Sequence, residues 1–315
     1  MLLKAPFPWF GGKSRAASEI WRRFGDVPNY VEPFAGSLAV LLMRPHKPRT
    51  ETINDIDCYI ANFWRAVANE PEKVADYADW PCNEADLHAR HLWLLGRSEF
   101  RERMKSDPDY YDAKIAGWWV WGQCLWIGGG WCAARWYRDE EGTDSLPSRP
   151  DMRRPDLTAG GKGVHRSTQD IYEYFAALGA RLRRVRVTCG DWTRVLSDAA
   201  TVNHGITGIL LDPPYSHDER DDQIYSHDLD VAADVRAWAI ENGDNPMLRI
   251  ALCGYEGEHE MPPDWSVYRW KTSGGYGKLG SGRGLENARR ETIWFSPHCL
   301  PAQSLSLFDL DGEEQ

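Results

Sequence analysis

Residues 208–218, GILLDPPYSHD, set an apolar run against an abrupt end in an acid, two prolines and a tyrosine. A strand buried on both faces of a sheet reads as a continuous apolar run, and proline cannot continue its ladder. The stretch therefore ends a central strand and turns its last side chains out of the sheet. Working outward, strand patterns (VRVTCGD, GILLDPP, MLRIALCGY) alternate with helical ones (TRVLSDAATV, DVAADVRAWAIENG). This rhythm predicts an α/β protein of Rossmann-like type, its mostly parallel sheet covered on both faces. WSVYRWKT and ETIWFSP follow as strands with a loop and no helix between them, so one is expected to run antiparallel at the sheet edge.

Upstream the rhythm begins with NYVEPF at 29–34, a short strand that passes through a glycine turn into the helical AGSLAVLLMR. TETINDID is a second strand ending in acids, and CYIANFWRAVANE carries apolar residues at helical spacing. From about 71 to 126 every pattern is helical: EKVADYADW, EADLHARHLWLLGRSEFRERMK and YDAKIAGWWVWGQCLWI. Residues 127–166 have no period, and so long a loop in a compact protein points to function rather than decoration. STQDIYEYFAALGARLRRV restores a helix, with Ser167 as N-cap and Asp170 three residues on. The expected organisation is a catalytic α/β domain at 1–70 and 167–300, interrupted by a mainly helical domain at 71–166. A flexible acidic tail covers 301–315.

Composition removes several classes. The chain has 315 residues, 42% hydrophobic and 27% charged, with no apolar run near the ~18 residues that span a bilayer. MLLKAPFPWFGGK lacks the pattern of a secretory leader, and seven scattered cysteines without a C-x-x-C pair read as reduced thiols rather than a metal site. A cytoplasmic protein without a membrane partner is expected. The net charge of −10 argues against a nucleic-acid partner when taken as a sum, yet bases gather across 149–186 in RPDMRRPDL, GGKGVHR and RLRRVR. Six of the sixteen tryptophans fall between 118 and 136, which reads as core and loop bracing, with a minority offering flat faces to bases.

Open parallel sheets bind ligands beyond the carboxyl ends of their strands, where strand order reverses. Four strand ends carry suitable groups: Glu32, Phe34, Ala35 and Gly36 in EPFAGS, Asp55 in NDID, Asp191 and Trp192 in CGDW, and Asp212 in LDPPY. Singly, each is as readily a connecting turn or a helix cap, and Asp57 reads as a cap. Together they converge on one cleft. A nicotinamide enzyme is excluded as a good fit because the turn reads G-S-L-A-V-L from Gly36, without G-x-G-x-x-G.

PFPWFGGK, EPFAGS, NDID and LDPPY, in this order over residues 5 to 297, resemble the motifs of the DNA adenine methyltransferase family. One departure stands out: the family's turn reads phenylalanine-x-glycine-x-glycine, and Leu38 occupies the second glycine. The resemblance implies S-adenosylmethionine as cofactor and N6 of adenine in double-stranded DNA as methyl acceptor, reached by flipping the base out of the helix. It implies that Asp212 and the Pro213 carbonyl hold the target amine, with Pro214 stiffening the turn and Tyr215 stacking on the base. It implies cofactor contacts from Trp9, Gly11, Gly12 and Lys13, from Glu32, Phe34, Ala35 and Gly36, and from Asp212. Asp55 would take the ribose hydroxyls, and Asp191 with Trp192 the cofactor's adenine. Without the resemblance, GGK reads as a turn with a solvated lysine. Tyr225 reads equally as a flank for the base or as packing.

DNA contacts are expected from Arg135, Arg138, Arg153, Arg154, Lys162, His165 and Arg166, most of them to phosphates. A second basic stretch at 273–290 adds Lys278, Arg283, Arg289 and Arg290, while Trp131 in GGGWC reads chiefly as a buried loop anchor. The expected assembly is a monomer or weak dimer. Other activities compatible with the motifs are cytosine N4 methylation, whose motif more often starts with serine, and DNA binding by an inactive relative.

Overall fold

The alternation seen in the sequence becomes one seven-stranded sheet in the computed structural model, which describes residues 3–9, 11–126, 131–132, 163–165, 170–214, 231–270 and 291–302. The strands are Asn29–Glu32 (β1), Thr50–Asp55 (β2), Arg186–Cys189 (β3), Thr207–Leu211 (β4), Leu248–Tyr255 (β5), Ser266–Arg269 (β6) and Glu291–Phe295 (β7). Their order is β3-β2-β1-β4-β5-β7-β6, an arrangement consistent with a methyltransferase fold. β1 to β5 pair in parallel, and β7 runs antiparallel between β5 and β6. The antiparallel strand thus lies one place in from the edge, with β6 outermost. The order reverses between β1 and β4, so their carboxyl ends open the cleft in which such sheets bind ligands.

Period-two alternation sends the strands' apolar residues to both faces. Leu210, Ala251, Cys253, Ile293 and Phe295 join one core cluster, and Ile209, Leu211, Ile250, Leu252 and Trp294 join the other. Helix Val231–Asn242 (α9) covers the second face through Val235 and Ala239. Over the first face lie Ala17–Phe24 (α1), Ala39–Leu42 (α2), Cys58–Asn69 (α3) and Ile171–Leu182 (α8). Glu51 on β2 is buried between two arginines, with Arg181 of α8 at 2.6 Å and Arg44 at 3.1 Å, which ties the helix to the strand.

The helical stretch resolves into Pro71–Ala78 (α4), Glu84–Leu95 (α5), Ser98–Ser106 (α6) and Ala113–Leu125 (α7). The pattern expected as one long helix at 84–105 breaks at Gly96 and Arg97, where α5 ends and α6 begins. α7 packs against α3 and α4, and α4 against α8, so one apolar cluster runs from the sheet through Phe63 and Trp119 to Leu94 and Met104. The core is continuous across residue 71.

Two local expectations differ. Asp170, not Ser167, is the N-cap of α8: its carboxylate accepts from the amides of Tyr172 and Glu173, at 2.8 and 3.0 Å. TRVLSDAATV forms no α-helix; Trp192–Val195 and Val202–His204 are short 3-10 turns. Buried Asn29 donates to the carbonyls of Ala200 and Thr201, which anchors that segment to β1 and diverts acceptors a continuing helix would use.

Candidate active site

Three strand ends are stitched together by a side chain that sequence reasoning passed over. Asn54, 1% exposed, donates to the carbonyls of Pro33 (3.1 Å) and Gly190 (2.9 Å) and accepts from the Thr188 hydroxyl at 2.9 Å. One amide therefore fixes the turns after β1 and β3 against β2. The first turn is drawn in further by Asp55, whose two oxygens accept from the amides of Gly36 (3.0 Å) and Asp57 (2.9 Å). Burial pushes the Asp55 carboxyl up to about 7, the Asp57 charge pushes the same way, and the backbone donors partly oppose both. Asp57 is the expected cap, accepting from the Tyr59 amide at 2.8 Å.

Gly36 has φ +45°, and a Cβ there would come within 2.7 Å of Trp9 Nε1, so glycine lets the indole lie on the turn. The Gly36 carbonyl accepts from Trp64 Nε1 at 2.9 Å. Leu38 also sits in the left-handed region, at φ 54°, ψ 29°, with its side chain fully buried in the core. The chain thus keeps the backbone shape of the glycine turn while a leucine fills the space behind it.

At the end of β4, Asp212 is partly exposed and Pro213 is buried. Lys13 is no solvated lysine. It is 3% exposed, donates to the Gly11 carbonyl, and pairs with Asp212 Oδ1 at 2.8 Å and Glu291 Oε2 at 3.5 Å. Its ammonium lies 5.9 Å from the Trp270 ring centre. Glu32, across the reversal point on β1, is buried and accepts from the Tyr30 hydroxyl at 2.9 Å; burial holds its carboxyl well above the ordinary range. Glu291 had no local signal, because β7 reaches β5 only through long-range pairing.

Phe34 and Trp192 face each other with ring centres 6.2 Å apart and planes 25° from parallel. Trp192 also meets Trp238 of α9 edge-on. Asp191 is exposed and caps its 3-10 turn, accepting from the Thr193 amide at 2.9 Å. Ile56, between Asp55 at the end of β2 and Asp57, is 46% exposed, an apolar side chain left open beside Asp55. Its signal in NDID was the apolar residue between two acids.

Trp131 is the buried loop anchor expected, donating to the Trp119 carbonyl at 3.0 Å and stacked on His91. His165 is half-buried with Nε2 3.2 Å from the Trp121 carbonyl, so its ring is engaged with α7. Tyr215, Tyr225, Arg135, Arg138, Arg153, Arg154, Lys162, Arg166, Lys278, Arg283, Arg289 and Arg290 lie outside the described residues.

The sheet defines an α/β protein in which the candidate residues gather at strand ends around the β1/β4 reversal. Residues 9–111 match the family described as D12 class N6 adenine-specific DNA methyltransferase. A comparison with curated proteins found no match. Among the described residues, no helix is long and apolar enough to cross a membrane.

Proposed function

We propose that the protein transfers a methyl group from S-adenosylmethionine to N6 of adenine at specific sites in double-stranded DNA. The observation that carries this reading is Asp212 at the β1/β4 reversal, held by the buried Lys13 at 2.8 Å. An ionised carboxylate has about four lone-pair positions, so Asp55 keeps capacity for a ribose hydroxyl beside its backbone donors Gly36, Ile56 and Asp57. Phe34, Trp192 and Ile56 supply ring and apolar faces for a purine, and Trp9 with Gly36 a narrow turn for the amino-acid end. These residues fit the cofactor.

When bound, the cofactor supplies an electrophilic methyl carried on a sulfonium. The chain supplies position and charge. An exocyclic amine conjugated to a purine is a weak nucleophile, because its lone pair is delocalised into the ring. Asp212 and the Pro213 carbonyl accept its two N–H groups, which favours a tetrahedral nitrogen with its lone pair free for attack. Lys13 pairs with Oδ1 of Asp212 and fixes the position of the carboxylate. Prolines at 213 and 214 add no competing N–H. Tyr215 stacks on the base, recovering part of the energy of flipping it from the duplex.

The DNA-reading role goes to residues 71–166, through Arg135, Arg138, Arg153, Arg154, Lys162 and Arg166, joined by Lys278 and Arg283. His165 contributes by fixing residues 163–165 against α7. The test is to incubate the protein with unmethylated duplex DNA and methyl-labelled cofactor, then digest to nucleosides. Label in N6-methyladenosine is expected. Label in N4-methylcytidine, in RNA alone, or in neither nucleic acid overturns the reading.

A further inference from the structure

We infer that Cys58 and Cys189 form a thiol pair that hydrogen peroxide converts to a disulfide, and that this bond weakens cofactor binding. The first half stands on the two cysteines themselves, and the second rests on the methyltransferase reading. Cys189 closes β3 and Cys58 opens α3, with their Sγ atoms 3.7 Å apart and Cys189 donating to Cys58. The two thiols are unequal. Cys58 lies at the N-terminus of α3, where the helix dipole favours an anion. The hydrogen bond from Cys189 draws the Cys58 thiol below its ordinary range, opposed by burial and by Asp57 and helped by Lys105 and Arg101. The same bond, together with burial, pushes the Cys189 thiol up. In its thiol form Cys58 also donates to the Arg101 carbonyl, at 3.9 Å. A thiolate beside a protonated thiol is the pairing that peroxide oxidation and resolution to a disulfide require.

The Cys58 thiolate attacks one peroxide oxygen and breaks the O–O bond, giving a sulfenic acid and hydroxide, which takes up the proton Cys58 had released. Cys189 then attacks the sulfenic sulfur; the S–S bond forms, and the departing hydroxide leaves with the Cys189 proton as water. Two thiols thus lose two electrons and two protons, and one peroxide becomes two waters. Cys58 and Cys189 are only 6% and 2% exposed, which selects a small oxidant. A disulfide needs the sulfurs about 1.6 Å closer than they stand. Asp55 is tied to both elements that must close. It pairs in register with Cys189, its carbonyl accepts from the Gly190 amide at 3.0 Å, and its Oδ1 accepts at 2.9 Å from the amide of Asp57, the residue before Cys58. Closing the bond therefore moves the carboxylate proposed for the ribose.

The experiment treats the full chain with hydrogen peroxide, removes the excess, blocks free thiols with iodoacetamide and digests with trypsin without reduction, while S-adenosylmethionine binding is measured by calorimetry on a parallel sample. Mass spectrometry is expected to find peptides 50–65 and 187–194 joined. The dissociation constant is expected to rise about tenfold and to return when dithiothreitol reduces the bond. Cys58→Ser and Cys189→Ser are each expected to lose the joined peptides and to keep their affinity through the peroxide treatment. Peptides that stay separate in the wild type, or Cys58 carried to sulfinic acid with Cys189 still free, overturn the proposal. Joined peptides with an unchanged dissociation constant overturn its second half. If a variant does not fold, the wild type decides: affinity that fails to return as dithiothreitol separates the peptides overturns the link between bond and cofactor. A reduced wild type that binds no S-adenosylmethionine overturns the methyltransferase reading, and the joined peptides, read by mass alone, still test the thiol pair.

Discussion

Replacing Leu38 by glycine and by alanine separates two opposed terms at the cofactor turn. The residue holds φ 54°, ψ 29°, a conformation that costs a residue with a Cβ roughly 1–2 kcal/mol, and its side chain is fully buried. Deleting a buried leucine side chain down to alanine costs about 2–5 kcal/mol. Leu38→Ala takes that loss and keeps the strain. Leu38→Gly takes a slightly larger loss of burial but relieves the strain, so both variants are less stable than wild type. The glycine variant is expected to be the better of the two, by about 1 kcal/mol. In a right-handed helical position the order is the opposite, alanine winning by about 1 kcal/mol. Urea unfolding at equilibrium, with the midpoints compared at constant slope, measures the difference. An alanine variant more stable than the glycine one would refute a left-handed Leu38. A wild type no more stable than either would refute the claim that burial outweighs the strain.

Other predictions concern the site and its support. Because Asp55 titrates at about 7, it is ionised and a full acceptor above that value and protonated below it. Cofactor affinity should therefore fall as the pH drops through 7, by up to about tenfold per unit, and Asp55→Asn should flatten the profile; an unchanged profile would remove Asp55 from the ribose. In Gly122→Ala the new Cβ would lie 2.0 Å from the Trp131 ring, pushing it off the Trp119 carbonyl. Overpacking of this kind costs about 1–3 kcal/mol, so a midpoint in urea that does not move would contradict the anchor.

The strand ends were legible because their chemistry is local. An apolar run stopped by proline, or a strand closed by an acid, announces itself within a few residues, and LDPPY, NDID, CGDW and EPFAGS all end strands as expected. What the sequence hid depends on partners far along the chain. Lys13 looked solvated because its carboxylates lie 199 and 278 residues away. The helix expected at TRVLSDAATV gives way to turns because Asn29 holds its carbonyls. α1 was not foreseen, although Ala16, Ala17, Ile20, Trp21 and Phe24 stand at helical spacing and are all buried. The antiparallel strand was foreseen, but not its insertion between β5 and β6, since hydrophobic pattern alone does not order the strands of a sheet.

The central proposal is that the carboxylate delivered by β4 holds the adenine amine for methyl transfer. It is tested most directly by comparing wild type and Asp212→Ala for label passed from S-adenosylmethionine to duplex DNA, with cofactor affinity measured alongside. The account predicts labelled N6-methyladenosine from wild type, none from the variant, and a cofactor dissociation constant that moves by no more than about tenfold, or ~1.4 kcal/mol. Undiminished transfer by Asp212→Ala would contradict it.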